Sequence, residues 1–222
     1  MSRSVTARLL PAGAVLALVL VGLLAGCGPD VPGPVQMTEQ ERDAWEIRLV
    51  ENRIDKNEQF MDHQRSPLPP DEIPVFQGLN YYFPAPEFRW RVKFEPEARP
   101  DTVMLTKAKG RKVPYVKRGK VRFKHQGKVY TLWVFGPADT TAHGDYLWLP
   151  FYDKTNGRQT YAGGRYLDLT VDADGMVDLD FNFAYNPLCD YNHARYDCTL
   201  PPEENRLPFE VLAGEKEFRP DE

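Results

Sequence analysis

From Val177 to Tyr185 apolar and polar side chains alternate without a break. Val177, Leu179, Phe181, Phe183 and Tyr185 fall on one side; Asp178, Asp180, Asn182 and Ala184 fall on the other. A side-chain period of two puts every second residue on one face of a pleated strand, so this stretch suits a half-buried antiparallel strand. Leu167, Leu169 and Val171 repeat the pattern upstream. Between the two runs, Asp172-Ala173-Asp174-Gly175 has the chemistry of a tight turn. The two runs therefore read as a central hairpin, closed by Asn186-Pro187. Opposed residues of a hairpin share a face, so any register that buries both stripes sets Asp168 opposite Asp178 or Asp180. Two like charges so placed destabilise the pair unless solvent, a cation or a shared proton intervenes.

The same period recurs upstream. Phe88-Arg89-Trp90-Arg91-Val92-Lys93-Phe94 alternates cleanly. Further short strands are predicted over 102–106, 113–117, 120–124, 128–135, 146–152 and 158–161, with a last one over 207–213. Turns are expected at Gly110, Arg118-Gly119, Gln126-Gly127 and Asn156-Gly157. Such spacing predicts a mainly β fold: an antiparallel β-sandwich or partly open barrel of about nine to ten short strands. One N-terminal α-helix precedes it. Thr38-Glu39-Gln40-Glu41 fits a capping box, and the helix should run to about His63. Trp45, Leu49, Ile54 and Phe60 are among its apolar positions, with Ile47 and Val50 widening an interrupted stripe. Ser66-Pro67 and Pro69-Pro70 stop it. A helix this charged either packs on the domain or serves as a spacer arm.

The first residues are not read as part of the fold. Arg3 and Arg8 precede an apolar run from Leu9 to Leu24, too short to span a bilayer comfortably, and Leu24-Ala25-Gly26-Cys27 follows. This is the layout of an export signal, and its end resembles the lipobox of bacterial lipoproteins, in which the cysteine is acylated. The expected organisation is a signal peptide over 1–26, a lipidated tether over 27–37 rich in proline, the helix within 38–65, and a single β-rich domain over 66–222. Cys27 would hold the chain to membrane lipid in a bacterial envelope, the outer membrane included where there is one. The remaining cysteines, Cys189 and Cys198, most simply form a disulfide in an exported protein. With His193 they also offer three metal ligands; the disulfide is the simpler reading, and no metal or cofactor is expected.

Charge is segregated. Between Lys107 and Lys128 stand ten Lys/Arg and no acid, whereas residues 139–222 carry 17 acids and 7 bases. The basic run is either a set of solvated strand edges protected by lysine or a surface for an anionic envelope partner. Nucleic acid is not an expected partner outside the cytoplasm.

Several enzyme classes are excluded by what the chain lacks. Beyond the predicted signal the sequence has one serine, Ser66, wedged before a proline, and no G-x-S-x-G. It has no HExxH, P-loop or dinucleotide fingerprint. Asp172-x-Asp174-Gly175 departs from a calcium loop in spacing and in lacking the bidentate Glu. What remains is a crowd of polar residues around the predicted hairpin and its exit loop: Arg165, Tyr166, Asp168, Asp180, Asn182, Tyr185, Asn186 and Asn205. These could pin the Pro-rich loop, orient a bound sugar or peptide, or perform acid–base hydrolysis with carboxylates whose pKa values are pushed apart.

The stretches TYAGGRYLDL, AYNPLCDY, CTLPPEENRLP and AGE resemble a family of bacterial proteins of unknown function, over about Arg53 to Glu215. The resemblance implies no catalytic assignment. The sequence thus leads to a lipid-anchored envelope protein with a non-catalytic binding or interaction domain. A hydrolase built on Arg165, Asp168 and Asp180 is the alternative.

Overall fold

The computed structural model describes residues 30–138 and 146–219. The predicted signal and Cys27 lie outside the described residues. Helix α1 spans Glu39–Met61 and opens on the expected capping box. The Thr38 N–H donates to Glu41 Oε2 at 2.8 Å, and the Glu41 N–H donates to Thr38 Oγ1 at 3.3 Å. Trp45, Leu49 and Phe60 are buried on one face of it, each worth roughly 1.5–3 kcal/mol or more of transfer free energy. Ile54, expected among the packed positions, is instead exposed with Ile47 and Val50. The broken apolar pattern is therefore two opposite faces, one docked on the domain and one in solvent.

Among the described residues seven strands form one antiparallel sheet. They are β1 (Arg89–Pro96), β2 (Thr102–Thr106), β3 (Lys112–His125), β4 (Lys128–Pro137), β5 (Leu147–Phe151), β6 (Arg165–Leu169) and β7 (Met176–Asp180). Their order is β6-β5-β4-β3-β1-β7, with β2 paired to β3 beside this path. The two ends of the order are consecutive in sequence, so the sheet curls into a half-barrel with an open seam between β6 and β7. Trp90, Val92, Phe123, Val134, Phe151 and Leu179, all 0 % exposed, fill its interior.

The fold class is as the sequence predicts, but the central hairpin does not pair. Its turn is real: Asp172 Oδ1 accepts the N–H groups of Asp174 and Met176 at 2.9 and 2.8 Å. Beyond it the strands part, β6 to β5 and β7 to β1. Charge favours this pairing. In the β1–β7 register Arg89 faces Asp180 and Arg91 faces Asp178, whereas a β6–β7 ladder would have opposed carboxylates. Asp168 therefore meets neither Asp178 nor Asp180.

Four local expectations also change. The long strand to Tyr185 stops at Asp180, whose Oδ1 accepts the Asn182 N–H at 2.9 Å and turns the chain into a 3-10 turn at Phe181–Phe183. Residues 113–117 and 120–124 are one strand with a bulge at Gly119 rather than a turn. A Cβ there would sit 2.6 Å from the Phe94 ring and overlap the Glu95 carbonyl, so glycine is required by close approach. Residues 158–161 close a compact loop in which the Thr155 and Thr160 hydroxyls lie 2.7 Å apart. Residues 207–213 make no ladder, because the carbonyls of Val211 and Ala213 are taken by Arg165.

Candidate functional site

Strand alternation gives β5 and β6 two different faces. Leu149, Phe151, Leu167 and Leu169 enter the barrel, whereas Trp148 and Tyr166 project outside and join Leu105 and Phe135 in a second, smaller cluster. Tyr115 of β3 lies beside Trp148, ring centroids 5.0 Å apart, and Tyr166 meets Trp148 edge-on at 4.8 Å. The segment 185–199 folds over this aromatic floor. It is held by an antiparallel bridge between Tyr185 and Tyr166, by the Tyr166 hydroxyl donating to the Thr199 carbonyl, and by the Cys189–Cys198 disulfide, with Cα atoms 5.9 Å apart. The last turns of α1 supply the third wall through Lys56, Gln59 and Phe60. Together these surfaces enclose a cleft of about 690 Å³, within the range of roughly 300–1,000 Å³ typical of small-molecule sites.

At one side of the cleft Asp168 Oδ1 accepts both the Tyr146 and the Tyr185 hydroxyl, each at 2.6 Å. Burial, and then the neighbouring Asp168, push the Tyr146 phenol above its ordinary range. Tyr185 is raised by burial first, with Tyr146 and Asp168 adding to it. Both tyrosines therefore stay protonated as donors, and they orient the carboxylate. Asp168 Oδ2 has no hydrogen-bond partner among the described residues.

Behind the cleft wall sits a buried carboxylate, Glu215, 1 % exposed. Its Oε1 accepts from Lys56 Nζ at 2.5 Å and from the Tyr81 hydroxyl at 3.2 Å; its Oε2 accepts from the Tyr191 hydroxyl at 2.5 Å and the Asn186 N–H at 2.7 Å. One acid thus ties α1, the chain near Tyr81 and the cleft segment together. Lys56 also lies 5.1 Å over the Tyr185 ring.

Of the eight polar residues predicted from sequence, Tyr166, Asp168, Tyr185 and Asn186 line the cleft. The other four do structural work elsewhere. Arg165 lies inside the barrel, 0 % exposed, paired with Asp153 at 2.8 Å. Asp180 is buried at the opposite edge of the sheet, where it accepts the Trp45 indole N–H at 2.6 Å and docks α1. Asn182 exchanges two hydrogen bonds with the Ala85 backbone. Asn205 bridges β4 and β5, accepting the Trp133 N–H and donating to the Trp133 and Pro150 carbonyls. The hydrolytic cluster of Arg165, Asp168 and Asp180 is therefore not assembled. Tyr115, Tyr146, Trp148 and Lys56 were not singled out in the sequence. Lys56 was detectable, because its spacing from Trp45, Leu49 and Phe60 places it on their helical face.

Among the described residues no serine or free thiol lines the cleft: Ser66 is elsewhere, its Oγ accepting the Leu68 N–H at 3.2 Å, and Cys189 and Cys198 are bonded to each other. Among the described residues no group of three or more His, Cys, Asp or Glu side chains is placed to hold a metal ion. His193 lies beside the disulfide, its Nδ1 2.8 Å from the Cys189 carbonyl. The basic run is partly neutralised across the fold. Lys107 and Arg111 face Asp197 at 3.9 and 3.7 Å, Lys117 pairs with Glu204 at 2.8 Å and Arg122 with Glu95 at 2.6 Å.

Comparison with solved structures gives a match to the solution NMR structure of an uncharacterized protein of Haloarcula marismortui. It is 38% identical in sequence, with a TM-score of 0.61, and the match covers 81% of this chain and 97% of that one. No curated protein matches. The family model described as "Protein of unknown function (DUF1684)" matches residues 74–216. With the half-barrel and most of the cleft segments inside that span, the chain belongs to the DUF1684 family.

Proposed function

We propose that this protein is a non-catalytic binding domain whose cleft takes a small neutral sugar. The observation that carries this reading is the Asp168 carboxylate, held by two protonated tyrosines on one oxygen beside a floor of Trp148, Tyr115 and Tyr166. A sugar has the matching chemistry: its C–H face lies on aromatic rings and its hydroxyls donate to a fixed carboxylate. The described cleft lining holds no serine or free thiol, and Arg165 and Asp180 stand apart from Asp168, which favours binding over the hydrolysis that cluster would have performed. Saturation-transfer NMR with hexoses, N-acetylhexosamines and their β-linked oligomers tests it. Transfer to at least one sugar, with line shifts at Tyr146 and Tyr185, is expected; release of reducing ends on incubation would count for the hydrolase instead.

The same proposal places the domain at a bacterial envelope surface, tethered through acylated Cys27. It is supported by the basic leader, the apolar run and the Leu-Ala-Gly-Cys end. Lys109, Lys112, Lys120, Lys124 and Lys128, which enter no ion pair among the described residues, supply positive charge for an anionic partner there. Cys27→Ser is expected to accumulate uncleaved precursor without acyl label; normal maturation would remove the anchor from the account.

A further inference from the structure

Asn186 forms part of the cleft wall and is itself only 2 % exposed. Nearly all of its polar atoms are committed. Its N–H donates to Glu215 at 2.7 Å, and its carbonyl lies 3.3 Å from the Tyr191 hydroxyl, whose proton goes chiefly to Glu215. Its Nδ2 donates to Asp190 Oδ2 at 2.7 Å and to the Lys216 carbonyl at 2.8 Å. Oδ1 is the exception: it is buried and has no hydrogen-bond partner among the described residues. Turning the amide over would not help. The Lys216 carbonyl can only accept, so the NH₂ group must face it whichever protonation state Asp190 adopts. Buried acceptors nearly always have a donor, and the residue that carries this one lines the cleft.

We infer that Asn186 Oδ1 is the acceptor for a neutral hydrogen-bond donor, a hydroxyl or amide N–H, on the sugar in the cleft, and that it sets the preference among sugars. The inference rests on the binding role proposed above. One feature selects a neutral donor over an ammonium group: Lys56 already occupies the face of the Tyr185 ring that would attract a cation. With Asp168 Oδ2, the cleft then offers two fixed acceptors, which a ring bearing several hydroxyls can reach together. A sugar lacking the donor leaves Oδ1 desolvated and unpaired, which is how buried polar groups discriminate strongly between near-identical ligands.

The test uses the full chain in mild detergent and NMR titration with glucose, N-acetylglucosamine and the single-deoxy and mono-O-methyl derivatives of each. At one ring position, removing the donor is expected to weaken binding about 10- to 100-fold. The O-methyl ether at that position, which keeps the oxygen but not the proton, is expected to bind as poorly. In Asn186→Ala the parent sugar weakens by a similar factor and the penalty for that derivative disappears. Should the alanine variant fail to fold, because it also loses the tie to Lys216, the Asn186 side-chain carbonyl ¹³C resonance of the wild-type chain replaces it. That resonance is expected to shift with the parent sugar and not with the derivative. If a parent sugar binds but no derivative loses more than about threefold, or the penalty persists in Asn186→Ala, the role of Asn186 falls while the binding role stands. If none of the probes binds and no cleft resonance moves, both fall. A crystal structure of a sugar complex with an ordered water on Oδ1 would overturn the inference alone.

Discussion

Arg165→Ala is expected to remove most of the stability of the fold rather than a function. The Arg165 guanidinium and Asp153 carboxylate are both fully buried and 2.8 Å apart. The same guanidinium donates to the carbonyls of Val211, Ala213 and Glu215 at 2.8, 2.5 and 3.1 Å. Removing one partner of a buried ion pair costs about 3–5 kcal/mol, because the other charge stays behind without its counter-ion. Each carbonyl left without a donor adds about 1–3 kcal/mol unless water reaches it. The total exceeds about 5 kcal/mol, against roughly 5–15 kcal/mol for a whole domain. Arg165→Lys keeps the charge but replaces a planar fork by a single ammonium, which cannot span acceptors on both sides; a loss of about 2–3 kcal/mol is expected. Urea denaturation followed by tryptophan fluorescence measures both. The reasoning is refuted if Arg165→Ala folds and loses less than about 1 kcal/mol, and a loss of ligand binding at unchanged stability would restore Arg165 to the site.

Two further perturbations probe the cleft wall. Reducing the Cys189–Cys198 disulfide releases a loop with a sequence separation of 9, for which chain entropy gives roughly 2.5–3 kcal/mol; an unchanged urea midpoint in reductant would contradict this. Asp190 is pushed up to about 7, chiefly by burial, well above the ordinary value of about 3.9. The folded state then holds a proton that the unfolded chain releases, so stability falls as pH rises between about 4 and 7, by up to about 1.4 kcal/mol per pH unit. Asp190→Asn should flatten that part of the curve. A wild-type profile parallel to that of the variant would show that Asp190 titrates alike in both states.

Strand periodicity and turn chemistry carried much of the fold, and the capping box carried the start of α1. What they could not carry was pairing. Leu167–Val171 and Val177–Phe181 are each correct as strand patterns, yet every strand has two edges, and local sequence does not say which neighbour takes them. Arg89 and Arg91, 87 residues or more upstream of Asp178 and Asp180, favour the pairing of β7 with β1 through their places opposite those two acids. The polar cluster dispersed for the same reason: alternation sends Arg165 into the barrel and Tyr166 out of it. Half of the predicted polar residues still reach the cleft, because Tyr166, Asp168, Tyr185 and Asn186 lie on β6 or on the strand exit that bridges back to it. The residues missed, Tyr115, Tyr146, Trp148 and Lys56, come from elements distant in sequence and carry no motif of their own.

The measurement that bears most directly on a sugar-binding cleft is calorimetric titration of the full chain and of Asp168→Ala with whichever sugar gives the strongest saturation transfer. Asp168 is exposed at the cleft side and its contacts are the two tyrosine hydroxyls, so the substitution leaves two donors without their acceptor, at about 1–3 kcal/mol each unless water replaces it, and the affinities are compared under conditions where the urea curves show both proteins folded. If Asp168 receives sugar hydroxyls, affinity falls at least about 10-fold, since hydrogen bonds to a charged acceptor contribute about 1.5–3 kcal/mol. Equal affinity in the two folded proteins would contradict the account and place any bound sugar away from this cleft.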